Sequence, residues 1–126
     1  MGVESADEFI ARKSAEWKRK PKLFKTKDVG REGFNTWALE AWTFKVQHDY
    51  PRKLLLIERI RHVSATGTMQ PWNAKPGDVQ YRFGYYVVGR IGKANGRWWW
   101  GESAPFIPHD DLAGLLDKAR AEGTLL

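Results

Sequence analysis

Hydrophobic and polar positions alternate most clearly between residues 78 and 108, and this pattern predicts one long β-hairpin. Asn95-Gly96 lies in its middle and is typical of a two-residue type I′ turn, because both residues tolerate positive φ at low cost. Successive side chains of a strand point to opposite faces. With this turn, one face is almost entirely apolar and carries Tyr81, Phe83, Tyr85, Val87, Ile91, Trp98, Trp100, Ala104 and Phe106. We expect that face to pack on the core.

The opposite face of the predicted hairpin is basic and aromatic. It carries Gln80, Arg82, Gly84, Tyr86, Val88, Arg90, Gly92, Trp99, Gly101 and Ser103. Glycine inside a strand usually marks a bulge, a bend or a close approach of another backbone or a ligand. Two interpretations therefore stay open. The face is an open binding surface, or a helix packs on it and Trp99 belongs to a second core layer.

Helices are predicted at both ends of the chain. Ser5-Ala-Asp-Glu8 is a capping box, and it predicts a helix from about Ala6 to Lys20 that Pro21 ends. Its apolar stripe is narrow and consists of Phe9, Ile10 and Trp17. The C-terminal helix is expected at about residues 110–122, where Leu112, Leu115, Leu116 and Ala119 form an apolar stripe before Gly123. Pro108-His-Asp-Asp111 has the composition of its start.

The middle of the chain is less regular. Phe34 to Gln47 fits a helix or a strand, and alternation of apolar and polar residues favours a strand for its second half. A turn at residues 48–51 precedes a strand from Leu54 to Val63, whose apolar start indicates burial on both faces. Ser64 to Gly77 is expected to be a loop, in which the Trp72 ring either pins the loop to the body or contacts a ligand.

These elements predict an α+β fold, an antiparallel meander of three to four strands flanked by an N-terminal and a C-terminal helix. The 126 residues suffice for a single domain, residues 1–126, and are too few for two. Within it we expect a basic N-terminal helix and extended connector at about residues 5–30. The sheet follows at about residues 36–107, and the C-terminal helix at about residues 110–122.

Charge and composition narrow the functional classes. The formal net charge is +6, and residues 12–27 hold eight basic residues against Glu16 alone. A polyanionic partner suits this charge, although a solvated surface also explains it. The chain lacks cysteine, which excludes disulfides, thiolate metal sites and thiol nucleophiles. No apolar run reaches the roughly 18 residues of a membrane span, and no signal-peptide pattern begins the chain, so we expect a cytoplasmic protein without membrane contact.

Signals for catalysis are few. His48-Asp49 and His109-Asp110-Asp111 place imidazole beside carboxylate, but the second group is adequately explained as a helix cap, and His62 as a hydrogen-bonded structural residue. The chain contains neither a complete phosphate loop nor a hydrolase or metalloprotease motif. We expect no metal, no cofactor and no catalytic residue, and consider enzymatic activity improbable without excluding it.

Single-stranded nucleic acid is the favoured ligand. The bases of such ligands stack on aromatic rings that are set among cations. The residues expected to contact the bases and backbone on the basic face are Arg82, Tyr86, Arg90 and Trp99. The residues expected to bind the phosphates are Lys18, Arg19, Lys20 and Lys22. The alternative functions, in decreasing order of preference, are binding of a protein partner or homo-oligomer, binding of a small ligand in a pocket beneath Trp72, and enzymatic activity.

Overall fold

Five antiparallel strands and two main helices make up the part of the chain that the computed structural model describes, residues 2–27, 30, 32–67 and 74–126. In chain order they are α1 (Ala6–Arg19), β1 (Leu23–Thr26), β2 (Asn35–Gln47), β3 (Tyr50–Ala65), β4 (Val79–Val88), β5 (Trp98–Trp100) and α2 (His109–Ala121). Each strand pairs with the next in sequence. The predicted α+β meander with a helix before it and a helix after it is confirmed.

The strand count is five rather than three to four. The additional strand is β1, which forms in the segment predicted as an extended basic connector and pairs with the start of β2. The ambiguous segment before Gln47 is a strand throughout, as favoured for its second half. The predicted burial of the start of β3 on both faces is also confirmed, because residues 54–58 are all buried.

The predicted register of the last hairpin is wrong. Val88 pairs with Trp98 and Tyr86 with Trp100, so nine residues connect β4 to β5 instead of two. Asn95 has φ −56° and ψ 121°, and Gly96 has φ +75°, values typical of a type II turn. An odd shift in register moves every side chain of a strand to the other face. Trp98 and Trp100 therefore share a face with Tyr86, and Trp99 lies on the opposite one.

The two helices pack on opposite faces of the sheet. Trp42 donates its indole Nε1–H to Ser14 Oγ of α1 at 3.0 Å, and the Phe44 ring lies against Phe9 of α1. The intervening Thr43 instead hydrogen-bonds Thr124, just after α2, at 2.8 Å. Because neighbouring side chains of a strand alternate, α1 covers one face and α2 the other.

The sheet curls toward α1. The Arg82 guanidinium on β4 lies 4.0 Å from the centre of the Phe24 ring on β1, although β2 and β3 lie between these strands. In a flat sheet, strands three positions apart are about 14 Å from each other. The edges therefore approach each other on the side of α1, which we call the concave face. The side of α2 is the convex face.

The main hydrophobic cluster fills the concave face. Its buried members are Phe9, Trp17, Trp37, Leu39, Phe44, Leu54, Leu56, Ile60, Ala74 and Tyr86. α1 supplies Phe9 and Trp17, and its predicted capping box is present, with Ser5 and Glu8 bonding each other's backbone N–H. His62 is buried and its Nε2 lies 2.7 Å from Asn35 Oδ1, which confirms its prediction as a hydrogen-bonded structural residue.

Gly84 on β4 and Gly101, the residue after β5, accommodate aromatic rings rather than another backbone. The Trp100 ring lies directly on Gly84, and the Tyr85 ring lies on Gly101, each in the space that a Cβ atom would fill. We expect Gly84→Ala to lower the free energy of unfolding by about 1 to 3 kcal/mol, because the methyl group would overlap the indole. Chemical denaturation measures this, with Gly2→Ala as control, since no atom of the described residues lies within 4 Å of a Cβ at Gly2. Equal stability of the two variants would contradict the placement of Trp100.

Candidate nucleic-acid interface

Arg82 and Tyr86, predicted as members of an open platform, lie on the concave face, where α1 covers Tyr86. Tyr86 is 5% exposed and packs against Phe9, and burial raises the pKa of its hydroxyl to about 12, an effect that the Glu58 carboxylate reinforces. Arg82 Nε donates to the fully buried Glu58 carboxylate at 2.7 Å. Tyr86 is therefore a core residue and not part of an open platform, while the Arg82 side chain keeps 29% of its surface exposed.

Arg90 and Trp99 lie apart from Arg82 and Tyr86. Arg90 donates to the Tyr50 hydroxyl at 3.2 Å and lies 5.8 Å from the centre of that ring, at the β2–β3 end of the sheet. Trp99 stands on the convex face with 45% of its surface exposed. The four side chains predicted as one surface are therefore divided between two faces.

The four predicted phosphate-binding cations are divided as well. Arg19, Lys20 and Lys22 line an open groove of about 520 Å³ at the end of α1, which we call the basic groove. Its other lining residues are Lys13, Glu16, Trp17, Pro21 and Leu23. Lys18 lies instead in a second groove of about 420 Å³ between α1, β2 and the end of the chain. The contact of these cations with phosphates stays a prediction.

The exposed aromatic side chains of the sheet lie on the convex face. Tyr81 and Phe83 are 38% and 39% exposed, and Tyr85 is half-buried. Trp99 on β5 continues the series beyond Tyr85, because it pairs with Val87. We call these four residues the aromatic row. Alternate residues of a strand are about 6.8 Å apart, so the three rings on β4 follow one another at that interval.

Polar groups surround the row. The Lys53 ammonium lies 4.9 Å from the centre of the Tyr85 ring, and the Tyr81 hydroxyl accepts the backbone N–H of Leu126 at 2.9 Å. The Tyr85 ring rests on the backbone at Gly101. Sequence reasoning assigned these rings to the core because the hairpin register was wrong, and their apolar character alone does not distinguish an open face from a covered one.

One histidine and carboxylate cluster forms that sequence reasoning missed. His48 Nδ1 lies 2.8 Å from Asp111 Oδ2, the His48 backbone N–H reaches both carboxylate oxygens at 3.2 Å, and Lys45 Nζ lies 2.5 Å from Oδ1. Pro108 to Asp111 forms the start of α2 as predicted, with Pro108 at the N-cap, no side-chain cap hydrogen bond, and Asp111 fully buried in the first turn. The cluster fastens the β2–β3 turn to the first turn of α2.

The charges of this cluster support one another. Burial alone would raise the pKa of Asp111, but the hydrogen bonds from Lys45 and His48 outweigh it and lower the pKa to about 2. The hydrogen bond to Asp111 in turn raises the pKa of His48 above its usual value. Asp49 also brings a carboxylate oxygen within 4.8 Å of this group. Because Lys45 already supplies a cation to the Asp111 carboxylate, the arrangement is explained as a structural clamp.

No protein-family model matches the chain, and neither a curated protein nor a solved structure matches it significantly. No helix in the described ranges has the length and hydrophobicity needed to cross a membrane. Trp72, predicted as a ligand contact, lies outside the described residues. The proposed function therefore rests on the geometry of the described side chains.

Proposed function

We propose that the protein binds single-stranded nucleic acid on the aromatic row, in the cytoplasm. The observation that carries the proposal is the row itself, in which Tyr81, Phe83 and Trp99 each present more than a third of their surface to solvent on one sheet face. Aromatic rings that stand open on a sheet serve as stacking platforms for bases, and each stacked base contributes about 1 to 3 kcal/mol of affinity.

Charge supports a polyanionic ligand. The chain carries a formal net charge of +6, and Lys53 places an ammonium group against the Tyr85 ring at the edge of the row. In such a site a cation contacts the phosphates while neighbouring rings stack on the bases. Binding without sequence preference is expected, because every base offers a flat face to an aromatic ring.

A protein partner is the second candidate, and exposure of the same rings favours it. Exposed apolar patches often mark protein interfaces, and Trp and Tyr are frequent anchors there. The two candidates differ in their response to salt. Each phosphate contact to a single strand contributes about −0.7 to the slope of log K against log salt, whereas an interface dominated by apolar contacts has a shallow slope.

Phe83→Ala is expected to weaken binding of a fluorescently labelled single-stranded oligonucleotide by about 1 to 3 kcal/mol, the contribution of one stacked base. Fluorescence anisotropy at several salt concentrations measures both the affinity and the salt slope. Ile91→Ala is the matched control, since Ile91 is an 83% exposed apolar residue in the β4–β5 connection, outside the row.

Three results are distinguishable. Loss of affinity in Phe83→Ala alone, with a steep salt slope in the wild type, supports the proposal. Equal affinity of both variants for the oligonucleotide would indicate that binding depends on charge alone, and it would contradict base stacking on the aromatic row. Lack of oligonucleotide binding, together with concentration-dependent self-association that Phe83→Ala abolishes, would show that the row is a protein interface instead.

A further inference from the structure

The Arg82 side chain is fixed on three sides. Its Nε donates to Glu58 at 2.7 Å, and its guanidinium carbon lies 4.0 Å from the Phe24 ring centre and 4.9 Å from that of Trp100. Among the described residues this is the one hydrogen bond that Arg82 makes, so its two terminal nitrogens keep their N–H groups unpaired. A guanidinium held in this way presents a planar fork that matches a carboxylate or a phosphate.

Lys22 is a second cation against the same indole. Its Nζ lies 5.5 Å from the Trp100 ring centre and 5.5 Å from that of Trp17. Lys22 is half-buried and has no carboxylate within ion-pair distance in the described ranges. Burial lowers the pKa of its ammonium group. The Glu58 carboxylate partly offsets this effect, and like-charge repulsion from Arg82 and Lys13 adds to it. A partly desolvated cation without an anionic partner is unfavourable, and a bound anion would relieve it.

The surrounding charges leave a positive excess. Glu58 is fully buried and accepts from Arg82 through Oε1, and its Oε2 has no hydrogen-bond partner in the described part of the chain. Its single negative charge neutralises one of the two cations. Lys13 is compensated by Glu16, whose carboxylate lies 3.7 Å away. Lys22 also lines the basic groove, where Arg19 and Lys20 add two exposed cations at the rim.

We propose that the surface beside the Trp100 ring, which Lys22 connects to the basic groove, is a binding site for an oxyanion, a phosphate or carboxylate group that Lys22 and the terminal nitrogens of Arg82 hold against the indole. One negative charge compensates the excess of the Glu58, Arg82 and Lys22 group. In the wall of the basic groove, the Trp17 and Leu23 side chains form an apolar surface that the apolar part of a larger ligand can contact. The site lies on the concave side of the sheet, so it is separate from the aromatic row.

Titration of the ¹⁵N-labelled protein with inorganic phosphate, and separately with acetate, tests the proposal through the NMR signals of Arg82 Nε–H and Trp100 Nε1–H. We expect saturable shifts in the wild type. Lys22→Gln should weaken binding by about tenfold or more, the usual effect of removing one charged hydrogen-bond donor. Lys93→Gln, which removes an equal charge from the exposed β4–β5 loop, should bind like the wild type.

Arg82→Lys keeps the charge beside Glu58 and removes the fork, so it should also weaken binding. Because the buried Glu58 carboxylate has Arg82 as its ion-pair partner, the affinity of this variant is interpreted only if its spectrum shows a folded protein. If it does not, the affinity of Lys22→Gln decides the test. Tighter binding of phosphate than of acetate assigns a phosphorylated ligand, and the reverse assigns a carboxylate. The proposal is overturned if neither anion gives saturable shifts, or if Lys22→Gln binds as tightly as the wild type. Neither result depends on whether oligonucleotides bind the aromatic row.

Discussion

Replacing Phe9 with alanine is expected to lower the free energy of unfolding by about 3 to 5 kcal/mol, the range for emptying a large aromatic site in a packed core. The Phe9 side chain is fully buried, and its ring lies 4.9 Å from the Tyr86 ring centre and 5.3 Å from that of Trp98. Together with Trp17, it joins α1 to the cluster on the concave face. Urea denaturation followed by circular dichroism measures the change.

Lys18→Ala is the matched control for this variant, because Lys18 is exposed on the same helix. Its effect should stay within about 0.5 kcal/mol, as for most surface substitutions. If Phe9→Ala cost no more than the control, α1 would not cover the concave face, and Tyr86 would again be available for an open platform.

Asp111→Ala is expected to cost about 3 kcal/mol, the lower end of the range for removing one partner of a buried ion pair. The lower end applies because the Lys45 side chain is 26% exposed and can reach water when the carboxylate is lost. Asp110→Ala is the control, since that neighbouring carboxylate is 71% exposed and lies 3.8 Å from His48 Nε2. Equal stability of the two variants would show that the clamp between the β2–β3 turn and α2 does not stabilise the fold.

The stability difference between wild type and Asp111→Ala should depend on pH. Asp111 has a lowered pKa in the folded state, so its contribution is present above its unfolded value of about 3.9 and is lost as pH falls toward about 2. His48 has a raised pKa, so its contribution is present below about 6.5 and is lost as pH rises through the folded value. Denaturation at a series of pH values should therefore give the largest difference between about pH 4 and 6.5. A difference independent of pH would contradict the charged clamp.

Both helices and the sheet class could be predicted from local patterns. The Ser5–Glu8 capping box and Pro21 define α1 through interactions within a few residues, and the alternation before Gln47 defines β2. Strand β1 is harder to predict from the sequence, because only Leu23 and Phe24 are apolar in a short segment with several lysines. Such composition is common in edge strands, where charged side chains oppose further pairing.

The candidate site could not be predicted, because it depends on register. Asn95-Gly96 forms a turn as expected, but a type II turn inside a longer connection, and the odd shift exchanged the two faces of the hairpin. The clamp was missed for another reason. His48 and Asp111 are 63 residues apart, and no local spacing indicates that two such residues meet.

Trp99→Ala tests the aromatic row most directly when its stability and its affinity for a single-stranded oligonucleotide are measured on the same preparation. Trp99 is 45% exposed, so we expect a loss of stability below about 1 kcal/mol and a loss of affinity of about 1 to 3 kcal/mol. Trp100→Ala should show a larger loss of stability, because its ring packs on Gly84 and Tyr86 on the concave face. Unchanged affinity in Trp99→Ala, or equal destabilisation by the two substitutions, would contradict an open row that binds nucleic acid.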